Sequence, residues 1–185
     1  STPGGRWLVY SQNPGANTNG GLAGTSYYNT VYNPANPTGV SASGNKFAYS
    51  LAANLTVTPN SASREYGAAN PAFTYAITGL LGSDTLAAAV QGAPTITTLA
   101  NALSSVAGGP YAINATLGTL ASQYNYSFSF APGQLSITPA LLSYLADPKS
   151  RMYGDPNGVL TGTITGLKNG DLAGNVTSGT LVFTG

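Results

Sequence analysis

Few residue types in this sequence can carry out chemistry, and the acidic ones come first. There are five, Glu65, Asp84, Asp147, Asp155 and Asp171, and the chain has neither cysteine nor histidine. Glycoside hydrolysis uses two carboxylates, so a hydrolase would have to draw its pair from these five. The missing types exclude thiol nucleophiles, imidazole bases, disulfides and thiolate or imidazole metal sites. We therefore predict no enzyme and no cofactor.

A serine–lysine pattern is the next candidate for catalysis. Residues 43–46, SGNK, match the S-x-x-K motif of serine acyl-enzymes, in which a neutral lysine activates the serine. That motif needs a helix start and companion motifs. Here Ser43 and Lys46 lie in a stretch of Gly, Ser and Asn, and residues 83–85 match S-D-N only in part. An ordinary loop is the prediction.

Oxygen ligands for calcium occur close together at Asp147, Asp155 and Asn157. Calcium prefers such hard ligands, but the sequence has neither the 12-residue calcium loop nor a nonapeptide repeat. Solvated loop carboxylates are the prediction, with calcium as the alternative.

Aromatic residues among amides and hydroxyls raise the question of sugar binding. Tyr27, Tyr28 and Tyr32 lie among Asn, Thr and Gly, where an exposed ring can stack on a glycan. Packing across a loop is the competing explanation, and both stay open. Glycosylation of the chain itself is a further alternative, because Asn-x-Ser/Thr sequons occur at Asn54, Asn114, Asn125 and Asn175.

Charge excludes one class of partner. Only 6% of the residues are charged, the net charge is +1, and the six Lys and Arg residues are scattered from Arg6 to Lys168. Nucleic-acid binding needs clustered cations, so we predict none. The sequence shows no signal peptide, transmembrane run or lipidation motif, so we predict no membrane insertion and a position inside a longer, extracellular bacterial protein.

Turn residues and alternating patterns predict the elements that position these side chains. Strands are expected at residues 55–58, 73–78, 111–116, 124–130 and 135–138, where large apolar residues alternate with small or polar ones. Helix is expected only around residues 86–90 and 117–123. The fold prediction is mainly β, as small antiparallel β-sandwich or β-grasp-like modules in tandem with at most one or two short helices.

An internal repeat is the strongest feature of the sequence. Residues 63–84 return near the end of the chain with the same spacing, because four markers recur 87 residues later: Tyr66, Ile77, Gly79 and Asp84 become Tyr153, Ile164, Gly166 and Asp171. We predict structural roles for the repeated tyrosines and for both aspartates, which would accept backbone N–H bonds in a turn. The repeated glycines, Gly67, Gly79, Gly154 and Gly166, are predicted at backbone positions that disfavour a β-carbon.

Domain boundaries follow from this repeat. We predict an N-terminal β connector or cap at 1–62, a complete module at 63–139, a linker at 140–150, and the first part of a second module at 151–185. The run that contains Thr180, Leu181, Val182 and Phe183 is apolar and β-prone. An association strand with an open edge is one interpretation of this run, and a tail that packs against the first module is the alternative.

A family resemblance rests on residues 66–139. The Tyr-Gly opening, NPAFTYAITGL at 70–80, the later Tyr-Ala-Ile and Asn-Tyr-Ser-Phe, and the closing GQLSITP resemble the MBG repeat family. Such modules occur in large bacterial exoproteins, including filamentous-haemagglutinin-like adhesins exported by two-partner secretion. The resemblance implies a non-catalytic structural or adhesive segment at the cell surface or in a biofilm matrix. Its implied partners are neighbouring repeats, other copies through an open strand edge, and polysaccharide or host glycan. A stand-alone carbohydrate-binding module is the alternative.

Overall fold

The computed structural model describes residues 6–36, 40 and 43–178. The chain divides into two compact units. Unit 1 comprises Ser1–Asn60, Phe73–Thr98 and Ala112–Gln134, and unit 2 comprises Ser61–Ala72, Leu99–Tyr111 and Leu135–Gly185. No helix in the described part of the chain has the length and apolar character needed to cross a membrane.

Short strands make up most of the regular structure. In chain order they are β1 Leu8–Ser11, β2 Thr25–Tyr27, β3 Lys46–Tyr49, β4 Asn54–Pro59, β5 Ala62–Glu65, β6 Tyr75–Thr78, β7 Val90–Gln91, β8 Thr95–Thr98, β9 Tyr111–Thr116, β10 Ala121–Ser122, β11 Ser127–Phe130, β12 Gly133–Thr138, β13 Ser143–Ala146 and β14 Gly162–Thr165. The helices are a 3-10 turn at Pro14–Ala16, α1 at Leu86–Ala89 and α2 at Ala173–Val176. The prediction of a mainly β fold with short helices is confirmed.

Two three-stranded sheets form most of unit 1. In the first, β3 lies between β1 and β2 and runs parallel to both. In the second, β4 lies between β6, which is antiparallel, and β11, which is parallel. Parallel pairs need long connections between their strands, so these pairings join distant parts of the sequence.

The core of unit 1 follows from the alternation along β4. Leu55 and Val57 are fully buried, while the residues between them are more exposed, as the period of two in a strand requires. Leu55 packs in a cluster with aromatic residues of the N-terminal segment, and Val57 packs with Ala115 and Leu120. This core fixes the segment after β6, where the first candidate site lies.

The predicted helix at 117–123 is wrong. Gly118 adopts a left-handed φ of +54°, and the Thr119 amide donates to the Ala93 carbonyl at 2.9 Å. The Leu120 amide donates to the Leu117 carbonyl at 2.9 Å and closes a turn, after which β10 pairs with β7. A left-handed residue breaks a helix at once, so the small apolar residues there continue as strand.

Two strand pairs lie among the described residues of unit 2. In the first, β5 pairs in parallel with β12 along residues 135–138, and the side chain of Arg64 is buried beside them. That guanidinium donates to the Asn70 side chain and to the carbonyls of Glu65 and Asn101. The buried charge is thereby hydrogen-bonded, which burial of a charge requires.

The second pair, β13 with β14, reproduces the β4–β6 hairpin of unit 1. Thr56 faces Thr78 in the first copy, and Ser143 faces Thr165 in the second, so both strands are shifted by 87 residues. Helices α1 and α2 are related by the same interval. Strand β13 lies within the segment predicted to be a linker. Its Leu-Leu-Ser-Tyr-Leu sequence lacks the strict alternation of β4, and it is exposed throughout.

Candidate functional site: the aspartate turns

One turn occurs in both copies and carries an aspartate. It follows the hairpin at residues 79–84 and again at residues 166–171, and we call these segments the first and second aspartate turns. The Asp84 amide donates to the Leu81 carbonyl at 3.1 Å, and the Asp171 amide donates to the Lys168 carbonyl at 2.8 Å. The two backbones therefore close in the same way.

Glycines begin both turns. Gly79 has a φ of +103° and Gly166 a φ of +92°. A β-carbon on Gly79 would lie 2.5 Å from the Asn54 carbonyl oxygen, and one on Gly166 would meet the carbonyl of Leu141. Asn54 and Leu141 are themselves 87 residues apart, so the close approach of two backbone segments is part of the repeat.

Three hydroxyl groups surround the carboxylate of the first aspartate turn. The hydroxyls of Tyr28 and Tyr126 both donate to Asp84 Oδ2 at 2.8 Å, and Ser26 donates to Oδ1 at 3.3 Å. The Tyr126 oxygen also accepts from the Leu81 amide at 2.9 Å. We expected backbone N–H donors at this carboxylate, and that expectation is wrong, since the donors are hydroxyls from distant segments.

The electrostatics of this cluster keep both tyrosines neutral. Burial raises the pKa of Tyr28 and of Tyr126 above the usual value, and the nearby Asp84 carboxylate raises both further. Neutral phenols act here as hydrogen-bond donors, and deprotonation to a base or nucleophile is opposed by burial and by the neighbouring negative charge. The cluster therefore suits a structural role.

A cavity of about 560 Å³ lies beside Asp84 in unit 1. Polar groups that line it include Asn19, Thr25 and Thr85, together with Tyr49 and Tyr124. Asp84 is the single acidic residue that the sequence places in unit 1. Unit 1 therefore supplies one carboxylate at this cavity, whereas glycoside hydrolysis uses two.

The second aspartate turn is anchored by side chains of unit 2. The Tyr66 hydroxyl donates to Asp171 Oδ1 over a long 3.4 Å, and Lys168 forms an ion pair with Glu65 at 2.9 Å. The Asn169 side chain donates to the Ala102 carbonyl at 2.9 Å. A cavity of about 390 Å³, with Tyr66, Lys168 and Asp171 in its lining, accompanies these contacts.

Gly67 makes room for this anchoring. It has a φ of +83°, and a β-carbon there would lie 2.6 Å from the Cβ of Lys168. Its counterpart Gly154 has a φ of +91°, with no atom within 4 Å of such a carbon. Beside it, Tyr153 has a relative exposure of 105%. The same Tyr-Gly pair is thus covered in the first copy and uncovered in the second.

The three candidate glycan-contact tyrosines, Tyr27, Tyr28 and Tyr32, lie in three different surroundings. Tyr28 is 0% exposed and packs on Tyr49 and Tyr126, so its ring offers no face to a sugar. Tyr27 is half-buried in β2, and Tyr32 is 53% exposed with its edge against Tyr10. Only part of the predicted set is therefore available for stacking.

The remaining candidates take ordinary structural positions. Lys46 lies in strand β3 and donates to Thr25 Oγ1 at 2.5 Å, so the S-x-x-K tetrapeptide does not begin a helix. Asp147 accepts a hydrogen bond from the Thr161 hydroxyl, and the described residues contain no group of three acidic side chains that would hold a metal. Thr180, Leu181, Val182 and Phe183 lie outside the described residues.

Three of the four sequon asparagines are exposed, namely Asn54, Asn114 and Asn175. Asn125 differs, because it is half-buried and its side-chain amide donates to the Tyr28 carbonyl at 2.7 Å. A glycan on Asn125 would be attached to the same nitrogen that makes this hydrogen bond.

Sequence reasoning missed the partners of the aspartates. Tyr28 lies 56 residues before Asp84, and Tyr126 lies 42 residues after it, so no local pattern links them. The 87-residue interval was the one available signal, because it marked both aspartates as parts of a repeat.

The fold defines a class of protein, a mainly β protein of small sheets and short helices. Residues 55–136 match the family model of the MBG domain (YGX type), which confirms the MBG-type resemblance of this part of the chain. The match begins at β4, eight residues before the predicted start of the module. MBG domains are repeat domains of surface proteins and are structural rather than typically enzymatic. Comparison with curated proteins and with solved structures gave no match.

Proposed function

We propose that this chain is a non-catalytic structural segment of a secreted bacterial surface exoprotein, in which it holds an attachment surface away from the cell. One observation carries the proposal: a hairpin, an aspartate turn and a short helix recur at one interval of 87 residues. A protein that repeats a small β module becomes longer with each added copy, because each copy contacts only its neighbours.

The anchoring of both aspartate turns supports this proposal. Asp84 takes its donors Ser26 and Tyr28 from the segment that precedes the first copy in sequence. Asp171 and Lys168 take Tyr66 and Glu65 from the first copy itself. Each copy is thus tied to what comes before it, which restricts the angles between successive parts of the chain.

A polar, weakly charged surface fits adhesion. Charged residues make up 6% of the chain, so contacts with a target surface would rely on hydroxyl, amide and aromatic groups. We propose polysaccharide or host-surface glycan as the target, with neighbouring repeats or other copies of the chain as further partners.

Bead attachment tests the adhesive role. Beads that carry the full chain should attach to polysaccharide-coated surfaces and to bacterial cells more than beads that carry an unrelated β protein of similar charge. Equal attachment of both bead types would contradict adhesion.

The cavity beside Asp84 favours a second candidate, a carbohydrate-binding module. Its lining combines Tyr49 and Tyr124 with Asn19 and Thr25, the mixture that sugars require. A glycan array tests it with the Ala23→Trp variant, which places a bulky ring in the lining, and the Ala52→Trp variant as a control outside the lining. Binding lost only in Ala23→Trp would favour this candidate, and no binding by the original chain would dismiss it.

A further inference from the structure

The first copy anchors the second aspartate turn through a Tyr-Gly pair, Tyr66 and Gly67. Tyr66 gives the hydroxyl to Asp171, and Gly67 leaves the space that the aliphatic stem of Lys168 fills. The pair is therefore covered by the aspartate turn of the next copy.

The equivalent pair in the second copy has the same backbone. Arg64 donates to the Glu65 carbonyl, and Arg151 donates to the Met152 carbonyl, its counterpart at the 87-residue interval. The Ala68 amide closes a turn on Glu65, and the Asp155 amide closes the same turn on Met152. The backbone turn around the pair is thus the same in both copies, whereas Arg64 is buried and Arg151 is exposed.

The two Tyr-Gly pairs differ in whether other residues cover them. Tyr153 is fully exposed and the space beside Gly154 is open, whereas Lys168 lies against Gly67. An exposed tyrosine next to a glycine of positive φ leaves a hydroxyl donor and a vacant space side by side. In the first copy the same arrangement receives a carboxylate and an aliphatic stem.

We propose that Tyr153 and Gly154 form a docking site for the aspartate turn of another MBG module that follows in the same chain. In this site the Tyr153 hydroxyl donates to the aspartate of the incoming turn, and the side chain three residues before that aspartate lies over Gly154. The occupant is a module in the same chain because Tyr66 and Asp171 already make this contact within one chain. The inference rests on the proposed function for the presence of such a module.

The residue before Tyr153 indicates which kind of aspartate turn fits this site. Glu65, which pairs with Lys168, is replaced in the second copy by Met152, whose side chain is exposed. No ion pair can form there. An incoming turn with an apolar residue at the Lys168 position, as the first aspartate turn has in Leu81, therefore fits this site best.

A lengthened chain tests the proposal. Residues 99–185 are added once more after Gly185, with leucine in place of lysine at the added copy of position 168, which supplies one further period of 87 residues and a third aspartate turn with the preferred apolar residue. Nitration by tetranitromethane, quantified by peptide mass spectrometry, reports the accessibility of each tyrosine. We expect Tyr153 to react severalfold more slowly in the lengthened chain than in the original one. The added copy of Tyr153, which has no turn to cover it, serves as the exposed control.

Equal nitration of Tyr153 in both chains, with the added period folded by NMR, would overturn the proposal. Bead attachment is measured separately, so this result would leave the structural and adhesive proposal standing, and failed attachment would leave the docking site standing.

A second variant tests the cover without lengthening the chain. Lys168→Gly combined with Asp171→Ala removes both side chains that cover the first Tyr-Gly pair, and Lys149→Gly is the control at an exposed lysine. Nitration of Tyr66 should rise toward the rate of Tyr153 in the double variant and stay unchanged in the control. An unchanged Tyr66 rate in the double variant would show that aspartate turns do not cover this pair, and the proposal would fail.

Discussion

One carboxylate oxygen of Asp84 accepts hydrogen bonds from two tyrosine hydroxyls, those of Tyr28 and Tyr126. Hydrogen bonds to a charged acceptor are stronger than neutral ones, and those to charged groups contribute roughly 1.5–3 kcal/mol each. The Tyr126 oxygen also satisfies the Leu81 amide, so this one side chain connects the turn and β11 to the core. The carboxylate thereby acts as a structural centre.

The tyrosine cluster predicts a dependence on alkaline pH. Because the pKa of Tyr126 is raised above 10.0 by burial, its contribution to stability is complete below pH 10 and is lost as the pH rises further. Tyr126→Phe should lower the free energy of unfolding by about 1–3 kcal/mol at neutral pH. Above pH 10 its stability should fall less steeply than that of the original chain.

Urea unfolding between about pH 8 and 11 measures both effects. Lys46, whose pKa burial lowers, contributes the opposite slope in both proteins, so the difference between the curves reports Tyr126 together with its effect on the pKa of Tyr28. Parallel curves above pH 10 would contradict the prediction.

Gly79 gives a second prediction for single residues. Gly79→Ala combines a strained positive φ with a β-carbon 2.5 Å from the Asn54 carbonyl. It should cost about 1–3 kcal/mol. Gly82→Ala, at a φ of +57° with open space around it, carries the strain alone and should cost less. Thermal unfolding compares the two variants, and equal losses would show that the close approach to Asn54 is unimportant.

At the scale of elements, β4 and β13 share a register but not an environment. Strand β4 has a partner on each side and buries Leu55 and Val57 completely. Strand β13 pairs with β14 alone in the described part of the chain, and all four of its residues are exposed. Local stability follows burial and paired neighbours, so the two hairpins should differ.

Hydrogen exchange tests this difference. Amides of β4 should exchange only through opening of the whole of unit 1, whereas amides of β13 should exchange through local opening and much faster. Comparison of residues 55–58 with residues 143–146 under one condition gives the answer. Equal protection of the two strands would mean that β13 has a partner beyond β14.

The elements also show where sequence reasoning succeeds. Strand β9 was predicted at its observed bounds because large and small residues alternate strictly there, and α1 was predicted from its alanines. The structure of β13 was missed because its apolar run resembles no alternating strand. The aspartate turns were recognised as repeats, while their tyrosine partners depend on contacts between distant segments, which a sequence pattern does not encode.

On the scale of the whole molecule, the repeat makes a matched pair of variants available. Gly67→Ala and Gly154→Ala impose similar backbone strain, since the two φ values are +83° and +91°. Only at Gly67 does the new carbon meet Lys168. Gly67→Ala should therefore loosen the second aspartate turn, and Gly154→Ala should leave that turn unchanged.

Amide chemical shifts of residues 166–176 report this effect. Large shifts in Gly67→Ala alone are expected. Equal shifts in both variants would place the effect in general backbone strain instead of contact with Lys168.

The second aspartate turn is docked on the Tyr-Gly pair of the first copy, through Lys168 over Gly67 and Asp171 at Tyr66. A NOESY spectrum of the 185-residue chain tests it most directly, because protons in van der Waals contact give strong cross-peaks. Docking predicts cross-peaks between the Lys168 side chain and the α-protons of Gly67, and none from that side chain to Gly154. Assigned resonances of Lys168 and Gly67 without cross-peaks between them would contradict it.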